Sequence, residues 1–181
     1  MARRAAGVDP NPYQVWLETY AVNERMNQVL LERLDPRLWR AKPPGEKGRT
    51  IAAIFAHVHN IRRKWLRLSV PHLKLPRALD RTRCTMRQAR TALAESARRC
   101  EAMLKSALIS GGVKEFVRDG WARPWPPGAA MVVYMIAHDT HHRGQVCMLA
   151  HQLGLPLPAQ VGGALWNWEK LWRDCGFSRP R

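Results

Sequence analysis

Ile51, Ile54, Val58, Ile61, Trp65 and Leu68 recur in alternating steps of three and four, and no other feature of the chain constrains its fold so tightly. Side chains three or four positions apart share one face of an α-helix, so this segment has to bury an apolar seam against other helices. Thr50, just before the seam, carries a hydroxyl suited to cap a helix N-terminus. The same period precedes it in Trp16, Tyr20, Met26 or Asn27, Leu30 and Leu34, a run opened by Asn11-Pro12 and closed by Asp35-Pro36. It returns in Met86, Ala89, Leu93, Ala97, Cys100 or Met103, Leu104 and Leu108, with Thr82 or Thr85 as the cap. Gly111-Gly112 stops that third helix near Ser110.

A fourth helix is predicted from about Ala129 to Leu153, ended by Gly154-Leu-Pro-Leu-Pro158. A short last one, around Gly163 to Asp174, carries Trp166, Trp168 and Trp172. That tryptophan stripe reads as cover for the core rather than as an interface, since indoles pack well wherever one end stays wet. Lys42 to Gly48, Pro71 to Arg83 and Trp121 to Gly128 are connections marked by proline and glycine. Four helices of about 20 to 25 residues predict an all-α four-helix bundle with a short extra C-terminal helix. The 181 residues suit one domain over 1–181, with 1–11 as a flexible tail.

With 46% hydrophobic residues the chain can fill a core without disulfides. Its longest apolar run, nine residues from Ala129 to Ala137, is about half of a membrane span. Met1 to Gly7 lacks the apolar stretch of a secretory signal. Cys84, Cys100, Cys147 and Cys175 lie far apart with no Cys-x-x-Cys pair, which fits free thiols in a reducing cytoplasm. The expectation is a cytoplasmic protein with no membrane partner.

Lys and Arg number 30 against 14 Asp and Glu, a net charge of +16, and the excess is uneven. Residues 51–100 hold 12 basic and two acidic side chains, with Arg62, Arg63, Lys64 and Arg67 opening the band. Such a band either steers phosphates or an anionic substrate, or is the solvated face of basic helices. Weak, non-specific nucleic-acid binding is the most it predicts.

His138-Asp-Thr-His-His142-Arg-Gly-Gln145 lies inside the fourth helix. Four residues make about 400° of helical rotation, so His138 and His142 project from one face, one turn apart. His57 on the second helix has Ile54, Val58 and Ile61 around it and also points inward. A single inward histidine is ordinarily a hydrogen-bonded core residue. Three on facing helices are costly to bury unless something coordinates or neutralises them, and bundle cores are where facing helices place metal ligands. His59, His141, His151 and Cys147 diverge from this face by helical angle, and His72 lies in a connection. Three nitrogens with no thiolate or carboxylate leave coordination positions for water or substrate, as catalytic rather than structural sites do.

These residues, with Trp65 eight positions after His57 and with Tyr20, Asn23 and Asn27 on the first helix, resemble the DinB/YfiT-like metalloprotein family over roughly Tyr13 to Trp172. The resemblance implies a four-helix bundle, a divalent metal, zinc or nickel, on His57, His138 and His142, and a homodimer. It also implies relatives that act as transferases or isomerases with small thiol cosubstrates.

The function expected is a metal-dependent hydrolase or thiol-dependent transferase acting on a small anionic substrate. Its alternatives are a basic stress-response protein touching nucleic acid weakly and a structural metal-binding dimer. No catalytic side chain is assigned. Asp139, about 100° from His138, reads as an ordinary helix residue, with orientation of a ligand or action as a base as the sharper alternatives. Gln145, three residues past His142, is placed to bond a group behind the ligands, and Arg143 reads as solvated or anion-binding.

Overall fold

The computed structural model describes residues 11–117 and 128–177. Helix α1 spans Pro12–Arg33, α2 Ile51–Ser69, α3 Met86–Lys105 and α4 Ala129–Gln152, followed by α5 Ala159–Trp166 and α6 Trp168–Asp174. The described residues contain no strand element, so the all-α expectation holds. The expected tail, apart from Asn11, and Trp121 to Pro127 of the second loop lie outside the described residues.

The caps are those the sequence offers. Asn11 Oδ1 accepts from the Tyr13 amide at 3.0 Å with Pro12 in the first turn, and Thr50 Oγ1 accepts from Ala53 at 3.2 Å. Thr85, not Thr82, caps α3, in a reciprocal box with Gln88. The α3 pattern does run to Ser110, but its last turn, Ser106–Ser110, widens into a π-helix before Gly111 adopts a positive φ of 61°. The expected last helix is in fact two. Asn167 leaves helical geometry and its side chain accepts from the Lys170 amide at 3.0 Å, so it starts α6 where the periodic pattern continues unbroken.

Helices α1 and α2 each pack against both α3 and α4. The core has two apolar halves. One holds Leu30, Leu34, Ile51, Ile54, Leu93, Val146 and Leu149. The other holds Leu17, Tyr20, Trp65, Leu66, Met103, Leu104, Met131 and Met135. Chain order through these halves makes α1 and α4 run one way and α2 and α3 the other, which requires the long α2–α3 connection. Between the halves every long helix carries buried polar residues: Asn23, Glu24 and Asn27 on α1, His59 and Arg62 on α2, Ser96 on α3, and Asp139, His142 and Arg143 on α4. A third cluster packs Leu165, Leu171 and Trp172 against Val22, Met26 and Val29 of α1. Of the tryptophan stripe, then, Trp172 covers core as expected, while Trp166 and Trp168 remain 79% and 41% exposed.

Candidate metal centre

His57 reaches the middle of the bundle because α2 starts at the Thr50 cap, two turns earlier. From α4, His138 and His142 meet it. Ring centroids lie 5.6 Å apart for His57–His138, 4.8 Å for His57–His142 and 4.6 Å for His138–His142. One nitrogen from each ring can be chosen so that all three lie within 4.8 Å of one another. A tetrahedral zinc with bonds of about 2.0–2.1 Å would hold them about 3.3 Å apart, a closure within reach of side-chain rotation.

Only neutral imidazole has the lone pair a metal needs, and burial favours that form in two of the three rings. Burial pulls the His57 pKa down to about 3, helped by the Arg49 charge and the neighbouring histidines. Burial also takes His142 to about 4, against the opposing pull of its bond to Gln145. That bond, His142 Nδ1 to Gln145 Oε1 at 2.8 Å, fixes the tautomer: an amide oxygen only accepts, so Nδ1 carries the proton and Nε2 is left with its lone pair. Gln145 Nε2 in turn lies 3.1 Å from His141 Nε2, which places His141 outside the trio. His57 Nδ1 is buried with no hydrogen-bond partner. An orphaned ring nitrogen, two rings that burial keeps neutral and three convergent donors all fit a bound cation.

A DinB family model matches residues 10–170. The chain belongs to the DinB family. It is similar to the uncharacterized protein YrdA of Bacillus subtilis (strain 168), 39% identical over 55 residues, a stretch covering 30% of each chain. No solved structure matches it. In a DinB protein, this histidine cluster marks a candidate site for a divalent metal ion.

The remaining sequence candidates fall where helical angles put them. In this DinB chain His59 is buried toward α3, its ring nitrogens 2.9 Å from Ala92 O and 2.8 Å from Arg77 O. His72 and His151 are exposed. Neither these nor Cys147 belongs to the cluster found among the described residues.

Sequence reasoning missed the layer that supports the site. Arg62, expected in a solvated basic band, is fully buried and donates through NH2 to Glu24 Oε2 at 2.7 Å and Asp139 Oδ2 at 2.5 Å, and through NH1 to Leu93 O at 3.2 Å. It thereby ties α2 to the other three long helices. Asp139 is no ordinary helix residue: it is 1% exposed and its Oδ2 also accepts from Asn23 and Asn27. Burial alone would raise its pKa, but the Arg62 charge and the bonds around it win and hold it below the usual carboxylate range. Arg143 is likewise buried, not solvated, and donates to Asn23 Oδ1 at 2.7 Å, Asn27 Oδ1 at 2.9 Å and Thr140 Oγ1 at 2.9 Å. A signal was present. Glu24 stands four residues after Tyr20, Arg62 four after Val58 and Asp139 four after Met135, so each charge sits on an apolar stripe and the cation on α2 is opposite in sign to the anions on α1 and α4.

Proposed function

We propose that this DinB protein holds one divalent metal ion, zinc or nickel, on His57, His138 and His142 and is a metal-dependent enzyme, a hydrolase or a transferase using a small thiol cosubstrate. The observation that carries the reading is the convergence of three imidazole donors with no thiolate or carboxylate among them, a donor set that leaves positions open for other ligands. When bound, such an ion supplies Lewis acidity and lowers the pKa of a coordinated water or thiol.

The chain's own residues supply binding and orientation. Gln145 holds His142 and also lines an adjacent cleft of about 710 Å³. Ile54, Met148 and Leu149 give this cleft apolar walls, and exposed Arg49 stands at its rim. The Arg49 charge is felt at both His57 and His142, so an anionic group held there would lie close to the histidines. In this role Arg49 replaces Arg62, which is spent on Glu24 and Asp139. The substrate class favoured is a small molecule with an apolar body and an anionic head. A homodimer belongs to the same proposal, with exposed Trp166 and Trp168 as the apolar surface a second copy would cover.

Metal removal tests the reading. A chelated protein that keeps its helical circular dichroism but loses a measured turnover, regained on adding zinc or nickel, supports the enzyme. If chelation mainly lowers the melting temperature, and substrate screens with and without thiols find no metal-dependent turnover, the metal is structural and the enzyme reading fails.

A further inference from the structure

Two buried polar atoms beside the cluster have no hydrogen bond among the described residues, and they belong to one another's surroundings: His138 Nδ1 and Asp139 Oδ1, 3.6 Å apart. Unpartnered buried polar atoms are rare and costly, so a pair of them in near contact calls for a physical account. The other oxygen of the same carboxylate is fully engaged. Asp139 Oδ2 accepts from Asn23 at 2.8 Å, Asn27 at 3.2 Å and Arg62 at 2.5 Å. Three donors from α1 and α2 thus lock the carboxylate and leave Oδ1 toward the His138 ring. That ring also packs edge-on to Trp65, centroids 5.2 Å apart and planes at 75°, which limits its freedom to turn.

We infer that Asp139 is the positioning residue of the metal centre: on loading, the His138 ring donates its Nδ1–H to Asp139 Oδ1 and presents Nε2 to the ion. The inference rests on the reading of His138 as a metal ligand. A hydrogen bond requires the 3.6 Å gap to close to about 2.9 Å, a small rotation of one ring. A carboxylate on the far nitrogen fixes the tautomer and makes the ligating nitrogen more basic. Both ligands on α4 then carry their own acceptor, Gln145 for His142 and Asp139 for His138. Arg62, Asn23 and Asn27 act one step further out by holding the carboxylate still. Glu24 accepts from the same Arg62 nitrogen and from Asn27, and no bond joins it to a histidine.

The test compares two carboxylates on one arginine, with zinc as the probe. Asp139→Asn should still bind zinc but about 10- to 100-fold more weakly, by competition against a chelating dye. Glu24→Gln removes the charge on the other side of Arg62; it should lower the melting temperature while leaving zinc affinity near that of the wild type. In ¹H–¹⁵N spectra of the zinc-loaded wild type, His138 should show an exchange-protected proton on Nδ1 that the metal-free protein lacks. This spectrum decides the matter even if Asp139→Asn fails to fold. Equal affinity in wild type and Asp139→Asn, an equal loss in Glu24→Gln, or zinc on Nδ1 of His138 would overturn the inference while leaving the metal site standing. A wild type that binds no zinc or nickel would take down the metal reading as well.

Discussion

Two groups of polar side chains, one buried and one partly buried, lie at the same level of the bundle, between its apolar halves, and they differ in how far the protein itself pairs them. Around Arg62 the terminal guanidinium nitrogens meet Glu24, Asp139 and the Leu93 carbonyl, and Arg143 meets Asn23, Asn27 and Thr140. Two cations face two anions, with amides filling in. Among the described residues, by contrast, His142 of the trio has a side-chain hydrogen bond, while His57 Nδ1 and His138 Nδ1 have none. Buried charge must be paired to be tolerated, and the charges of the first group are paired within the fold, although Arg62 Nε and Asp139 Oδ1 keep no hydrogen bond among the described residues. The converging rings of the second are explained only once something outside the chain is added. Charge paired by the protein marks a scaffold, and leftover donor capacity on converging rings marks a site.

The largest effect is expected at Arg62. Arg62→Met leaves Glu24 and Asp139 without their shared cation and should cost about 3–5 kcal/mol of folding stability, read by chemical denaturation of the metal-free protein. A variant as stable as the wild type would show that the layer does not hold the bundle together, and the contrast between scaffold and site would break.

Acid should separate the two groups next. The folded-state pKa values of His57 and His142, about 3 and about 4, lie below the ordinary imidazole value of 6.5. Below about pH 6.5 the unfolded chain therefore takes up protons that the folded chain refuses. Their contribution is present above pH 6.5 and is lost as pH falls toward the folded values. Asp139, held below the usual carboxylate range, keeps its contribution until pH falls well below that of the histidines. Melting curves of the metal-free protein should decline from about pH 6.5 downward, and replacing His57 and His142 together by Ala should reduce that slope, leaving the part due to His59, whose pKa burial also lowers. A slope unchanged in the double variant would reassign it to other groups.

The contrast also explains what was legible in the sequence. The helices, the Thr50 cap and a threonine cap for α3 at Thr82 or Thr85 could be read because their signals are local, whereas sequence reasoning missed the Gln88 half of the α3 box. The histidine trio could be read because two members lie four apart and the third is flanked by apolar residues at helical spacing. Arg62 could not, because its partners Glu24 and Asp139 are 38 and 77 positions away, and an arginine beside Arg63 and Lys64 looks like surface charge. Following the α2 seam through Ile61 rather than Arg62 hid it further: Ile61 is only partly buried, whereas Arg62 is fully so. The split of α5 from α6 was hidden because Asn167 acts as a cap inside a run that otherwise keeps a helical pattern.

The smallest effect concerns the basic band. Arg62 is buried, Arg63 donates to Pro76 O, Arg83 pairs with Asp80 and Arg90 with Glu32, so much of the band is already engaged. Binding to nucleic acid should be weak and fall steeply with salt, and reversing exposed Arg67, Arg77 and Arg87 to Glu should flatten that dependence. A tight complex that survives high salt would make nucleic acid a specific partner and place that role above the metal-dependent enzyme.

The central claim, that leftover donor capacity at the three histidines means a metal site, is tested most directly by metal stoichiometry. Purified protein titrated with zinc and with nickel, then freed of excess and analysed for metal content, should retain one ion per chain. His142→Ala should retain none while unfolding cooperatively as the metal-free wild type does. A folded wild type that retains neither ion, or a His142→Ala variant that retains a full equivalent, would contradict the account.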